Sequence, residues 1–318
     1  MSDAMVQIAD ALRAAHRIAI VGHVGPDGDA LGSMIGLVRS ARAAGKDAYA
    51  TFGEPFVMPH QLRFLADDGL VAVADVPRPL DVLVVVDCGD AGRLGSAAEL
   101  VEHSGRVVVI DHHRSNGGFG DVAWVVPDAG ATAELVHLLV AELGWPAGSD
   151  VAEALYTGLV TDTGRFQYSS TSPQVHRIAA EMLEAGVLPD EIGRRVYEES
   201  PFAYLKVASA VLGRAQLDTE VSMVWSVLSI ADLEGAGIRY EDADGLIDLI
   251  RVAEEADVAC LVREVGPNRT KVSLRSRGGT DVGAVAVSLG GGGHHNAAGF
   301  TTQDPSAEVV EKVRRALQ

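Results

Sequence analysis

Unbroken β-branched runs alternating with helix-spaced segments predict an α/β fold built on a parallel sheet. Three runs carry the prediction: Arg17-Ile18-Ala19-Ile20-Val21-Gly22, Asp81-Val82-Leu83-Val84-Val85-Val86 and Arg106-Val107-Val108-Val109-Ile110. Strands without a polar alternate position must be covered on both faces, as the strands of a parallel sheet are. The apolar residues of 30–44, 97–104, 131–143 and 151–160 recur at helical spacing, so helices are expected on both faces of that sheet. A length of 318 residues favours two domains.

In chain order, the run at 17–22 leads through a Gly/Pro/Asp loop to a helix that stops before Gly45. A strand at 47–52 follows, then the strand ending at Asp87, then the one ending at Asp111. From Ser172 to about Arg214 the pattern is helical, broken by Gly186, Pro189 and Pro201, with no strand signal. Beyond it, 221–229, 258–265 and 270–276 are strand-like, while 243–253, 282–289 and 306–317 are helix-like. The expected organisation is an N-terminal domain over 1–188, a helical connector over 189–214 and a smaller α/β C-terminal domain over 215–318, with the active site in the cleft between the domains.

Composition narrows the function classes. With 47% hydrophobic and 22% charged residues the chain reads as globular. No apolar run approaches the roughly 20 residues of a membrane helix, and Met1-Ser2-Asp3-Ala4-Met5 lacks a signal segment, so a cytoplasmic protein is expected. Cys88 and Cys260 stand far apart, which excludes a disulfide framework and a Cys-x-x-Cys metal knuckle. The formal net charge of −18 opposes binding of long nucleic acid, whereas a small phosphate ester remains compatible if cations reverse the field locally. A homodimer is also compatible.

Acids and imidazoles gather at the ends of the predicted strands. His23-Val24-Gly25-Pro26-Asp27-Gly28-Asp29 leaves the first one, Pro26 fixing the backbone and Gly28 permitting a sharp turn between two carboxylates. Taken alone, that loop reads as an Asx-type turn with Asp29 capping the next helix. Asp87 would be carried out of a dry interior by five consecutive Val or Leu residues, and a carboxylate between two cations is a natural bridging ligand. Asp111-His112-His113 is the most specific signal, because an acid and two imidazoles after a buried strand are costly without ligands or partners. Asp162, in Thr161-Asp162-Thr163-Gly164, is weak by itself. Mixed carboxylate and imidazole donors favour Mn²⁺ or a similar ion over calcium or a thiolate zinc site. Gly290-Gly291-Gly292-Gly293-His294-His295-Asn296-Ala297-Ala298-Gly299 places small residues where a backbone can approach a phosphate, and Arg275 with Ser276 at the end of 270–276 could grip one.

Together these residues resemble the DHH phosphoesterase superfamily, whose namesake triplet stands here as Asp111-His112-His113. Gly291-Gly292-Gly293-His294-x-x-Ala297-Ala298-Gly299 is similar to the signature of the DHH-associated domain, as found in the nanoRNase/pAp-phosphatase branch and in RecJ-type exonucleases. The resemblance implies two divalent ions, Mn²⁺ in preference. One is held by His23, Asp27 and Asp87, the other by Asp29, Asp87, His112 and Asp162. It implies that His113 faces the substrate phosphate while Asp111 orients the histidines, and that Arg275, Ser276, Gly291, Gly292, Gly293 and His294 bind substrate. The activity implied is two-metal hydrolysis of short oligoribonucleotides, linear or cyclic di-adenylates or 3′-phosphoadenosine 5′-phosphate. A pyrophosphatase sharing the first domain and a non-catalytic nucleotide sensor are the competing readings.

Overall fold

The structure, a computed structural model, describes residues 2–66, 69–243 and 245–318. Contact density divides the chain into two units, Met1–Glu199 and Ser200–Gln318.

The first unit holds α1 (Asp3–Ala14), β1 (Arg17–Gly22), α2 (Gly28–Ala43), β2 (Asp47–Phe52), β3 (Val82–Val86), β4 (Val107–Asp111), β5 (Val122–Val125), α3 (Thr132–Leu143), α4 (Ser149–Asp162), α5 (Pro173–Glu184) and α6 (Pro189–Gly193). Its sheet has the order β2-β1-β3-β4-β5 with every pair parallel. Alternate strand residues serve opposite cores. Ile18, Ile20, Val84, Val86, Val108 and Ile110 join a cluster with α1 to α5, whereas Ala19, Val21, Leu83, Val85, Val107 and Val109 join one with Leu94, Ala97 and Leu100. Both faces are dry, which is why the sequence shows no polar alternation.

The second face is covered by 3₁₀ turns. Residues 97–103 of the segment 97–104, expected as a helix, lie in the 3₁₀ stretch Ala91–His103, where Gly95 takes φ = 56° and breaks the stretch in two. α2 starts two residues earlier than its apolar pattern suggests, because Asp27 Oδ1 accepts from the N–H groups of Asp29 and Ala30 at 3.1 Å each. The cap is therefore Asp27, and Asp29 is left for another purpose.

The second unit contains α7 (Phe202–Gly213), β6 (Gln216–Asp218), β7 (Met223–Leu228), α8 (Ile230–Ala236), α9 (Leu246–Ile250), β8 (Val258–Gly266), β9 (Arg269–Ser276), α10 (Val282–Ser288), β10 (Gly292–His294), β11 (Ala297–Thr302) and α11 (Ser306–Ala316). Its mixed sheet runs β10-β11-β9-β8-β7-β6, with only β7 and β8 parallel. The helix expected at 243–253 is reduced to α9, since Gly245 at φ = 78° breaks helical geometry just before it. The stretch 189–214 is shared, α6 and a π-helical turn at Arg194–Glu198 falling in the first unit and α7 in the second. Among the described residues no helix is long and apolar enough to cross a membrane.

Candidate metal centre

The acids converge at the carboxyl end of the first sheet. β1 and β3 are neighbours, with Val21 opposite Val85, so the loop carrying His23 and Asp27 emerges beside Asp87. Strand order reverses at that pair, and ligands of open parallel sheets bind outside such a point. Across β3 and β4, Val86 pairs with Ile110 and the Asp87 N–H donates to the Ile110 carbonyl at 3.1 Å, so Asp87 and Asp111 leave their strands together. Asp87 holds a left-handed φ of 52°. Such backbone costs on the order of 1–3 kcal/mol for a residue with a side chain and collects at functional sites.

Each histidine is fixed through Nδ1. His23 Nδ1 lies 3.0 Å from the Val24 carbonyl and His112 Nδ1 lies 3.1 Å from the Ala129 carbonyl, so each donates there and turns Nε2 to the carboxylates. His23 Nε2 is 3.8 Å from Asp27 Oδ2 and 3.7 Å from Asp87 Oδ2. His112 Nε2 is 3.2 Å from Asp162 Oδ2, 3.7 Å from Asp29 Oδ2 and 3.7 Å from Asp87 Oδ1. Asp87 thus presents one oxygen to each histidine. Ligand atoms sharing an ion at about 2.1 Å sit roughly 3–3.5 Å from one another, so these spacings are close to those of a metal cage. The groups His23/Asp27/Asp87 and Asp29/Asp87/His112 each keep one donor atom per residue within 4.8 Å of the others.

Asp29 carries the tightest constraint. Its Oδ2 accepts from the Thr132 N–H at 2.6 Å and its Oδ1 from the Ala133 N–H at 2.9 Å, so it caps α3, whose own N-cap residue Ala131 offers no side-chain acceptor. Oδ1 also accepts from Ser33 Oγ at 3.5 Å, while Oδ2, which faces His112, keeps a further lone pair for a cation. Burial pushes the Asp29 carboxyl well above its usual range, and the neighbouring Asp87 and Asp162 charges push the same way. Burial likewise lifts Asp162 to about 6, with His112 opposing. For His112, burial opposes the charged form, but Asp162, Asp29 and Asp87 outweigh it and raise the imidazole to about 10. Buried carboxylates that resist ionising side by side, with imidazole nitrogens among them, are a donor set that fits divalent cations.

His113 is held differently. Its Nδ1 is 2.7 Å from Asp111 Oδ1, and Asp111 Oδ2 accepts from Asn116 Nδ2 at 2.7 Å. Burial disfavours a charged His113, yet the bond to Asp111 and the nearby Asp87 raise its pKa above the ordinary histidine value.

Close helix packing joins Asp29 to Asp162, and no signal in the residue chemistry announces it. Gly28, Gly32 and Gly36 form one stripe of α2 against α4. A Cβ at these positions would lie 2.3 Å from Thr161 Oγ1, 2.4 Å from the Ala154 carbonyl oxygen and 2.6 Å from Leu155 Cδ2, respectively. The backbones therefore approach closely, and the first turn of α2 meets the last turn of α4.

In the second domain the sequence-predicted substrate residues meet at one end of the sheet. The glycine run is no loose loop: β10 and β11 form a hairpin turning at His295-Asn296, with His294 opposite Ala297 and Ala297 opposite Arg275. A Cβ on Gly291 would lie 2.2 Å from the Gly299 carbonyl oxygen, and one on Gly293 would lie 2.5 Å from that of Ala297. These two glycines permit the strand packing itself, whereas a Cβ on Gly292, at the start of β10, would meet open space. Ser276 Oγ accepts from the Gly278 N–H at 2.9 Å, shaping the turn beyond β9.

The model of the DHH family N-terminal domain matches residues 17–159, and that of the DHHA1 domain matches 220–318. The bifunctional oligoribonuclease and PAP phosphatase NrnA of Thermus thermophilus is 37% identical over 318 residues, 98% of this chain and 93% of that protein. The chain belongs to the DHH family. A crystal structure of an exopolyphosphatase-related protein from Bacteroides fragilis superposes with a TM-score of 0.90 at 26% identity, covering 99% of this chain and 95% of that one. The cyclic-di-AMP phosphodiesterase GdpP of Geobacillus thermodenitrificans is 25% identical over 339 residues, covering 95% of this chain but 47% of that protein.

Two polar groups of this DHH centre escape a reading by residue type. Thr132 donates its N–H to Asp29 and its hydroxyl to Asp87 at 3.1 Å, and Asn116 braces Asp111. Asn116, three residues after the His112-His113 pair, was the more findable. Thr132 lies 103 residues from Asp29 and gave no signal.

Proposed function

We propose that the protein is a two-metal phosphoesterase acting on short oligoribonucleotides and on small nucleotides such as 3′-phosphoadenosine 5′-phosphate. The observation that carries this reading is Asp87, whose two oxygens face His23 and His112 at 3.7 Å each, the disposition of a carboxylate shared by two cations. His23, Asp27 and Asp87 would hold one ion, and Asp29, Asp87, His112 and Asp162 the other, with Mn²⁺ favoured by the mixed donors. Bound there, the ions supply a water of lowered pKa and positive charge against the phosphoryl oxygens.

The chain's own residues do the rest. His113, held through Nδ1 by Asp111, would present Nε2 to a phosphoryl or leaving-group oxygen. Asp29 and Thr132 tie the donors to the start of α3, so the carboxylates keep their positions as charge develops. Arg275, Ser276, Gly291, Gly292, Gly293 and His294 would take the nucleoside side of the substrate. The net charge of −18 supports short substrates over long polyanions. The kinship with the Thermus thermophilus oligoribonuclease and PAP phosphatase supports the same substrate class.

The test is a product assay with Mn²⁺ across 3′-phosphoadenosine 5′-phosphate, a linear di-adenylate, its cyclic form, short RNA and pyrophosphate. Hydrolysis of the nucleotides is expected. Preference for pyrophosphate would convert the assignment to a pyrophosphatase, and binding without turnover to a sensor.

A further inference from the structure

Arg93 stands at the rim of the metal centre with a fixed root and an unengaged head. Its carbonyl accepts from the N–H of Val24, the residue after His23, at 2.8 Å. A Cβ on Gly95 would lie 2.6 Å from Val24 Cγ2, and one on Gly53 would lie 2.4 Å from the Leu94 carbonyl oxygen. The backbone of 93–95 is therefore clamped between the loop after β1 and the end of β2. The guanidinium, by contrast, is exposed and makes no ion pair or hydrogen bond among the described residues. The nearest acid in sequence, Asp90, turns its Oδ1 to the Gly92 N–H at 2.6 Å and caps its own turn. Several other arginines of the domain have carboxylate partners: Arg13 with Asp10 and Glu142, Arg17 with Asp47, Arg114 with Asp128.

The hydrogen bond from Val24, the neighbour of His23, sets the backbone of Arg93 at the edge of the centre. A cation beside a cation site is unfavourable unless an anion arrives as well. In a chain with 44 acidic and 26 basic side chains, an arginine left without a carboxylate at this place is conspicuous.

We propose that Arg93 is a substrate-binding residue of the first domain, its guanidinium holding phosphoryl oxygens on the His23 and Asp27 side of the centre. A planar fork of N–H donors suits that task, and Arg93 follows β3 while His113 follows the neighbouring parallel strand β4, so the two would flank one phosphate or take two successive ones. The proposal rests on the phosphoesterase reading above.

The experiment compares the parent with Arg93→Met and Arg93→Lys. With Mn²⁺ and 3′-phosphoadenosine 5′-phosphate, Arg93→Met is expected to raise KM roughly 10- to 100-fold, the loss of a hydrogen bond to a charged group, with kcat changed far less. Arg93→Lys should recover part of the loss. The Mn²⁺ concentration for half-activity should stay the same or fall, because a repelling charge is gone; a purely structural role would weaken Mn²⁺ binding instead and leave KM alone. An unchanged KM for Arg93→Met, with the parent turning over, would overturn the proposal. If the parent hydrolyses none of the nucleotides, the phosphoesterase reading fails separately. Titration of inorganic phosphate into the Mn²⁺-loaded proteins then decides Arg93: tighter binding by the parent than by Arg93→Met sustains it, and equal or absent binding sinks it.

Discussion

Gly32→Ala isolates the helix contact that brings Asp29 to Asp162. Helix propensity alone predicts that this substitution stabilises by about 1 kcal/mol, since alanine is the better helix former. The contact predicts the reverse. The new methyl would sit 2.4 Å from the Ala154 carbonyl oxygen and 2.9 Å from the Gly158 nitrogen, both backbone atoms of α4 that cannot rotate away. Relief requires α2 and α4 to separate by about 1 Å, and overpacking of this kind costs roughly 1–3 kcal/mol. With backbone on both sides the upper end applies, so about 3 kcal/mol of strain less about 1 kcal/mol of propensity leaves a net loss near 2 kcal/mol. Separation also draws Asp162 from His112 and Asp29, so Mn²⁺ affinity should fall as well. Urea denaturation of the metal-free protein measures the first effect and Mn²⁺ titration the second. Gly193→Ala is the control, because Gly193 has helical angles and nothing within 4 Å of its added methyl, and it should stabilise modestly. A Gly32→Ala protein as stable as the parent, with unchanged Mn²⁺ affinity, would refute the argument that close packing assembles the centre.

Asp87→Asn should lower kcat/KM by more than the roughly 10- to 100-fold typical of residues that only support ligands, while Asn116→Ala, which removes a brace on Asp111, should fall within that range; steady-state assays with Mn²⁺ separate the two. Mn²⁺ should raise the melting temperature more at pH 8 than at pH 5, because Asp162, lifted to about 6, and Asp29 still hold protons in acid that the ion must displace. Without metal the pH dependence runs the other way: the folded state's extra affinity for a proton at Asp162 stabilises below about pH 4 and is lost as pH rises through about 6, so calorimetry of the metal-free protein should show that decline. Asp232→Ala removes both a capping box with Ser229 and the pair with Arg214, and should cost about 1–2 kcal/mol in urea at pH 7. Arg214 holds the Asp232 carboxyl low, so the difference should persist above about pH 4 and shrink in stronger acid.

The amino-acid sequence determined the strands of the first domain, their burial on both faces and the placing of Asp87 and Asp111 at strand ends, because each follows from local composition and period. It also singled out the chemistry-bearing residues, since acids and imidazoles after dry runs are conspicuous. The glycines were legible only in part: Gly291 and Gly293 were read as openings for a phosphate, whereas their missing side chains first of all let the chain before and within β10 pack on β11. Strand order, the Gly28/Gly32/Gly36 stripe against α4, the cap that Asp29 lends to α3 and the nearness of Arg93 to His23 were decided by the tertiary structure alone. All four join residues far apart in the chain, and hydrophobic periodicity specifies which face of an element is buried but not which partner buries it.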